Sequence, residues 1–307
     1  MIVLLLTSKN EADVLRLNLE HHLSYGVDHV CVADNESDDH TQDVIREFGT
    51  HASTAVFHDF AVRQKVRYAL LERVRARHRS VAWIGVSDTD EFHWMAGATL
   101  PEYLAETPSD VPALTCRQKL FLPTADDAES GPVHHRQRHR TTGPESPLHT
   151  SYREGKTFYR AAWLTRIDHE HRSRRLEGEI VSPPAPTVHH YMIRDENQFV
   201  MKVRRLTAWR ERDGLRSKLW YHKLRRAFGI PLPPHVAGFK SEWWNVYAAG
   251  GEEGLRSYYR DTYRLQTRDL PRLIADSAIV EDHAFADWRA AAASAQAGTS
   301  LPGSNAS

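Results

Sequence analysis

Four short apolar runs, each followed by polar or helically spaced sequence, fall within the first ninety residues, and this alternation limits the chain to few folds. The run IVLLL (2–6) is wholly apolar, the pattern of a strand covered on both faces. In EADVLRLNLEHHLSYG (11–26), Val14, Leu15, Leu19 and Leu23 share one side of a helix, and Gly26 sits where a helix stops. VDHVCVAD (27–34) reads as a second strand and SDDHTQDVIREFG (37–49) as a second helix with acids in its first turn. STAVFHDF (53–60) reads as a third strand, AVRQKVRYALLERVRARHR (61–79) as a long basic helix, and SVAWIGVS (80–87) as a fourth strand. Such alternation predicts an α/β fold, a mostly parallel twisted sheet flanked by helices. Ligands of these sheets bind beyond the carboxyl ends of the strands, which places Thr7–Glu11, Asp34–Asp39 and Asp88–Glu91 along one rim.

Beyond the fourth strand the order loosens. VPALTCRQKLFL (111–122) is expected to be one strand, and 123–147 a polar, turn-rich loop. KTFYRAAWLTRI (156–167) looks extended, PTVHHYMI (186–193) reads as another short strand, and helical patterns dominate from 195 onward. The tail from 289 has no apolar periodicity and is expected to be disordered.

Lys plus Arg (40) equal Asp plus Glu (40), so no global basic field draws the chain to nucleic acid or acidic lipid. There are only two cysteines, Cys31 and Cys116, with no CxxC spacing, which argues against a zinc knuckle and a disulfide scaffold. MIVLLLTSKN lacks a basic leader, and no run approaches the roughly 18 apolar residues a membrane span needs. A soluble, cytoplasmic protein is the expectation.

The stretch VAWIGVSDTDEFHW (81–94) ends an apolar run in Asp88, Asp90 and Glu91. A polar turn or a helix N-terminus would accept these acids; a divalent cation would require them. Asp88 and Asp90, at i and i+2 on a strand end, are expected to point the same way.

Several further motifs support a resemblance. KNEADVLRLNLEHHLSYGVDHVCVADNESDDHT carries Asn10, Glu11, His22, Gly26, Asp28, Asp34, Asn35, Ser37, Asp39 and Thr41 in order, and Asp88-Thr89-Asp90-Glu91-Phe92 follows. GKTFYR (155–160) supplies a Lys-bearing strand, and HHYMIRDENQFVMKVRR (189–205) fits an H-Y-x-x-[RK]-S-x-x-x-F-x-x-K segment with Asp195 in place of Ser. Over roughly 2–205 the chain resembles family 2 type glycosyltransferases, in the branch with KNE…DNxSxDxT and DxDEF motifs.

The resemblance implies a GT-A fold and transfer of a sugar from a nucleotide-diphosphate donor to an acceptor hydroxyl, with inversion. The implied layout is a catalytic domain over 1–205 (a nucleotide-sugar half, 1–95, and an acceptor half, 96–205), a helical extension over 206–288, and the loose tail 289–307. A Mn²⁺ or Mg²⁺ ion would bridge the donor phosphates, held by Asp90 and His190 (His189 as the alternate), with Asp88 on the ion, its water or the ribose. Asp34 would meet the nucleoside or cap a helix, and Glu11 would flank the same pocket or serve as a first-turn helix acid. Gln64, where the branch often has Gln, and Lys156, a cation for the diphosphate, complete the donor set. Glu170, with Asp168 behind it in RIDHEH, is the expected base for the acceptor hydroxyl, an exposed charged loop being the plainer reading.

Two other classes compete. A nucleotidyltransferase would share the sheet and carboxylates but usually opens with a glycine-rich loop, and TSKNEADVL has no glycine. A nucleic-acid module using HHRQRHR (134–140) and WYHKLRRAF (220–228) conflicts with zero net charge. The segment 216–230 sets Leu219, Trp220, Leu224 and Phe228 among cations; packing on the main domain is favoured over peripheral membrane contact. The acceptor, whether saccharide, lipid-linked or a small molecule, is not written in any motif.

Overall fold

The computed structural model describes residues 1–58, 63–78, 80–127, 130–143, 146, 148, 156–162, 164, 180–181, 186–208 and 234–298. The first half follows the expected alternation: β1 (Ile2–Ser8), α1 (Ala12–Ser24), β2 (His29–Asp34), α2 (Thr41–Glu47), β3 (Ala52–Val56), α3 (Arg63–Arg77) and β4 (Trp83–Val86). Next come β5 (Glu91–Trp94), α4 (Leu100–Glu106), β6 (Ala113–Cys116), β7 (Gln118–Leu122), α5 (Val133–Arg136), β8 (His139–Thr141) and β9 (Lys156–Arg160). They are followed by β10 (Ile180–Val181), β11 (Thr187–His190), helix α6 (196–208), α7 (Pro234–Tyr258), α8 (Leu270–Ala275), β12 (Ile279–Glu281) and α9 (Ala284–Gly298).

Seven strands form the main sheet in the order β10-β6-β9-β4-β1-β2-β3. The pairings make β9 the single strand that runs against the other six. The protein is therefore mixed α/β, with a largely parallel sheet and helices on both faces. β1 shows why: Ile2, Leu4 and Leu6 enter one core with α1, while Val3 and Leu5 enter the opposite core with Leu70, Leu71 and Val74 of α3. A strand covered twice has no face left for polar residues. Gly85 lets three strands close: a Cβ there would lie 2.5 Å from Phe158 Cε1 and 2.9 Å from Leu4 Cδ1.

A five-stranded sheet, β12-β8-β7-β11-β5, stands beside the first. Two expectations are corrected here. The run 111–122 is two strands, β6 in the main sheet and β7 in the second, divided at Arg117. Both halves are apolar and buried, so hydrophobicity alone does not show where the chain changes sheets. The loop expected over 123–147 contains α5 and β8 among its described residues, with His134 and Gln137 buried.

The C-terminal third is not purely helical. β12 pairs antiparallel with β8, and Phe285 of α9 joins the first core. The tail expected to be loose from 289 is helical as far as Gly298. Alanine has the highest intrinsic helix propensity, so AAAASAQA forms a helix without an apolar stripe. Among the described residues no helix is long and apolar enough to cross a membrane. Cys31 and Cys116 are free and buried.

Candidate active site

In the main sheet β2 and β3 lie on one side of β1 and β4 on the other, so the strand order reverses between β1 and β4. The loops after these strands flank the crevice where α/β sheets bind ligands. They are tied to each other directly. Thr89 donates through N and Oγ1 to Thr7 O (3.3 and 2.8 Å), Asn35 N donates to Ser8 O (2.9 Å), and Asn10 N donates to Ser37 Oγ (2.9 Å). The three acidic loops do share one rim.

The turn 87–90 carries the chain from β4 in the main sheet to β5 in the second. Register then brings in a partner: β11 runs antiparallel to β5 with His190 opposite Glu91, and Tyr191 N donates to Asp90 O (2.9 Å). His190 Nε2 consequently lies 3.4 Å from Asp90 Oδ1. The neighbouring His189 takes the opposite face, wholly buried against Trp94, Phe121 and Phe285. Strand alternation thus selects His190 of the two candidates.

Asp90 is only 3% exposed. Its Oδ2 accepts from Lys202 Nζ of α6 at 3.0 Å, and the same ammonium donates to Met192 O at 2.8 Å. Burial pushes the Asp90 carboxyl up, but Lys202, His190 and Arg194 outweigh it and hold the group well below the usual carboxylate range. Glu11 is buried close by, and burial together with the Asp90 charge raises its pKa against the pull of Arg194, Lys202 and Arg205.

Asp88 does not face the same way as Asp90. Its Oδ2 accepts from Lys156 Nζ at 2.8 Å, and its Oδ1 faces Arg67 Nη2 at 3.4 Å. The expected common direction fails because Asp88 to Asp90 form a turn, not extended strand. The anticipated set of Asp88, Asp90 and His190 is therefore not assembled, and among the described residues no group of three His, Cys, Asp or Glu side chains is placed to hold a metal. Asp90 and His190 stand together, with Glu91 Oε1 3.9 Å from the other ring nitrogen of His190.

Glu91 braces the turn. Oε2 accepts from Ser87 Oγ (2.9 Å) and Asp88 N (2.8 Å), and Oε1 accepts from Gln118 Nε2 (2.8 Å). Gln118 Nε2 also lies 2.9 Å from His190 Nδ1, and Lys156 Nζ is 3.2 Å from Glu91 Oε2. Burial raises the Glu91 pKa, opposed chiefly by Lys156. From below, the buried Asn18 of α1 donates to Thr89 O (2.9 Å) and Glu91 O (2.8 Å).

Asp34 ends β2 at the same rim, buried, and receives Ser37 Oγ (2.5 Å), Ser37 N (3.2 Å) and Gln42 Nε2 (2.6 Å). Lys156 begins β9, whose antiparallel course returns it to the rim, where it is buried. Gln64 lies in α3, but its side chain is outside the described residues, as are Asp168, Glu170 and the segment 209–233.

Residues that sequence reading passed over are Lys202, Arg67, Arg194, Gln118 and Asn18. Lys202 and Arg194 stand in the quoted HHYMIRDENQFVMKVRR segment, so a signal existed without a role attached. Arg194 grips Asp13 through Nε (2.8 Å) and Nη2 (3.0 Å), docking the segment after β11 onto α1. Lys202 also lines a small open cleft of about 90 Å³ with Lys9, Asn10, Glu11, Gln198, Met201 and Arg205.

No family model matches the chain, and no curated protein matches it. Among solved structures it is similar to S. aureus TarS 1-349, at 12% identity and a TM-score of 0.37 over 98% of this chain and 93% of that one. A longer S. aureus TarS chain aligns at 12% identity and a TM-score of 0.36, over 66% of this chain and only 38% of that one. The mannosyltransferase PcManGT from Pyrobaculum calidifontis, solved with GDP-Man and Mn²⁺, aligns at 12% identity and a TM-score of 0.38 over 90% and 79%. At these scores none of the likenesses bears on function.

Proposed function

We propose that the protein is a glycosyltransferase of GT-A architecture, moving a sugar from a nucleotide-diphosphate donor to an acceptor hydroxyl with inversion. The observation that carries this reading is the Asp90–His190 pair, an ionised carboxylate and an imidazole 3.4 Å apart in a buried corner at the rim. An oxygen and a nitrogen at that separation suit two positions on a divalent ion such as Mn²⁺ or Mg²⁺. The rest of its shell would come from water and donor phosphates, as is usual for these hard cations. When bound, the ion would neutralise negative charge developing on the departing diphosphate.

The chain's own residues do the remainder. Asp88, whose side chain is about a third exposed, faces the donor ribose, with Lys156 and Arg67 holding its direction. Asp34 and Glu11, both buried, are assigned to the nucleoside side, and Gln64 to the same donor set. Lys156 supplies fixed positive charge beneath the phosphates. Glu170, with Asp168 as its alternate, takes the proton of the acceptor hydroxyl.

A thermal-shift screen of nucleotide sugars, with and without Mn²⁺, tests this directly. A donor that binds only the folded chain raises the midpoint by mass action. The expected result is a shift for one nucleotide sugar that needs metal and disappears in Asp90→Ala. No shift with any nucleotide sugar under either metal would overturn the reading, and a response only to nucleoside triphosphates would indicate a nucleotidyltransferase.

A further inference from the structure

Asp90 already has a cation. The ammonium of Lys202 is held by a carboxylate oxygen of Asp90 at 3.0 Å and by the carbonyl oxygen of Met192 at 2.8 Å. These are hard oxygen donors of the kind a divalent ion selects. Lys202 reaches them from α6, with its side chain 16% exposed, and its stem borders the open cleft lined by Lys9, Asn10, Glu11 and Arg205. Asp90 is more enclosed, with its side chain 5% exposed. An ion approaching Asp90 therefore meets the ammonium, and a flexible four-carbon stem beside open space can withdraw.

Resting on the metal-dependent reading above, we infer that Lys202 is a displaceable counter-ion: it holds the Asp90 position until a divalent cation replaces it, then turns into the adjacent cleft to meet phosphate. The cleft is ready for such a ligand. Lys202 and Arg205 line it beside the single carboxyl of Glu11, while the Lys9 ammonium donates to Glu36 O. Arg205 is anchored there through Nη1 to Lys9 O at 3.0 Å. The pairing keeps a buried carboxylate from standing uncompensated before substrate arrives. It also couples the two ligands, because metal binding frees the ammonium that the anion needs.

The test is Mn²⁺ binding to the full chain, followed by paramagnetic resonance of the free ion, with no turnover required. Lys202→Gln keeps a donor for Met192 O but removes the charge, and it should bind Mn²⁺ at least tenfold more tightly than the wild type. Arg205→Gln removes a charge from the same cleft without touching Asp90, and should change Mn²⁺ affinity less than threefold. Lys202→Gln should also melt below the wild type without metal and recover when Mn²⁺ is added, which keeps the test informative if the variant is less stable. With Mg²⁺ saturating, inorganic pyrophosphate should bind Lys202→Gln at least fivefold more weakly. Equal Mn²⁺ affinity in wild type and Lys202→Gln, or equal effects of the 202 and 205 substitutions, would overturn the displacement. Unchanged pyrophosphate binding would overturn the second role. If neither protein binds Mn²⁺ with or without inorganic pyrophosphate, the metal-dependent reading fails and this inference with it, an outcome distinct from equal, measurable binding.

Discussion

The carboxylate of Asp90 stays charged in a site 3% exposed because Lys202, His190 and Arg194 surround it. Charge of that kind is costly to bury unless something answers it, so a functional substitution here has to spare the fold. Asp90→Asn keeps the size and one acceptor oxygen. It is expected to lose at least a hundredfold in turnover while its circular-dichroism spectrum stays native; turnover within threefold of wild type would refute the role. Glu91 behaves differently. Its two oxygens receive Ser87 Oγ and Gln118 Nε2 in the interior and the half-buried Asp88 N, so Glu91→Ala orphans several donors at once. A loss of about 3 kcal/mol in urea unfolding is expected, whether or not a donor is bound. The DTDE run was legible as a cluster of carboxylates at a strand end, whereas the separate partners of its members were not. Which carboxylate faces His190 depends on a turn, and alternation rules hold only for extended chain.

Elements position these side chains through close contact as well as through hydrogen bonds. β4 lies between β1 and β9 because Gly85 lets Leu4 and Phe158 approach. Gly85→Ala should destabilise the protein by roughly 2 kcal/mol through overpacking, and a melting point equal to the wild type would show that the strands can part. α1 acts from the other face: Asn18→Ala leaves Thr89 O and Glu91 O without their buried donor. About 2 kcal/mol of stability is expected to go with it, and activity should fall further than stability explains because the turn is no longer fixed. The first four strands and three helices could be read from periodicity, although β3, at the sheet edge, is only half-buried. The split of 111–122 between two sheets could not, because a strand looks alike in either.

For the molecule as a whole, a set of neutral histidines sets the acid limit. Burial holds His22 down to about 3 and His21, His93 and His189 well below the ordinary imidazole value. Their pKa values are lower folded than unfolded, so the unfolded chain binds more protons as pH falls below about 6.5. Each contributes a loss of about 1.4 kcal/mol per pH unit from there down to its folded value. Glu11 and Glu91 act in the opposite sense, their folded pKa values being raised, but only above the unfolded carboxylate value near 4.5. Four bases outnumber two acids, so the urea midpoint at pH 5.5 should lie clearly below that at pH 7.5. An equal or higher midpoint would mean that these rings are not neutral in the fold.

By itself the sequence determined the alternating α/β half, the rim on which its acidic loops meet, and the carboxylate-rich character of that rim. These follow from local periodicity and from the direction of parallel strands, which neighbouring residues already encode. Tertiary structure alone decided that His190 and not His189 faces Asp90, that Asp88 turns toward Lys156 and Arg67, and that Lys202 reaches Asp90 from 112 positions away. Those outcomes depend on strand register and on a turn between two sheets, and contacts between distant segments have no period that a single chain could display.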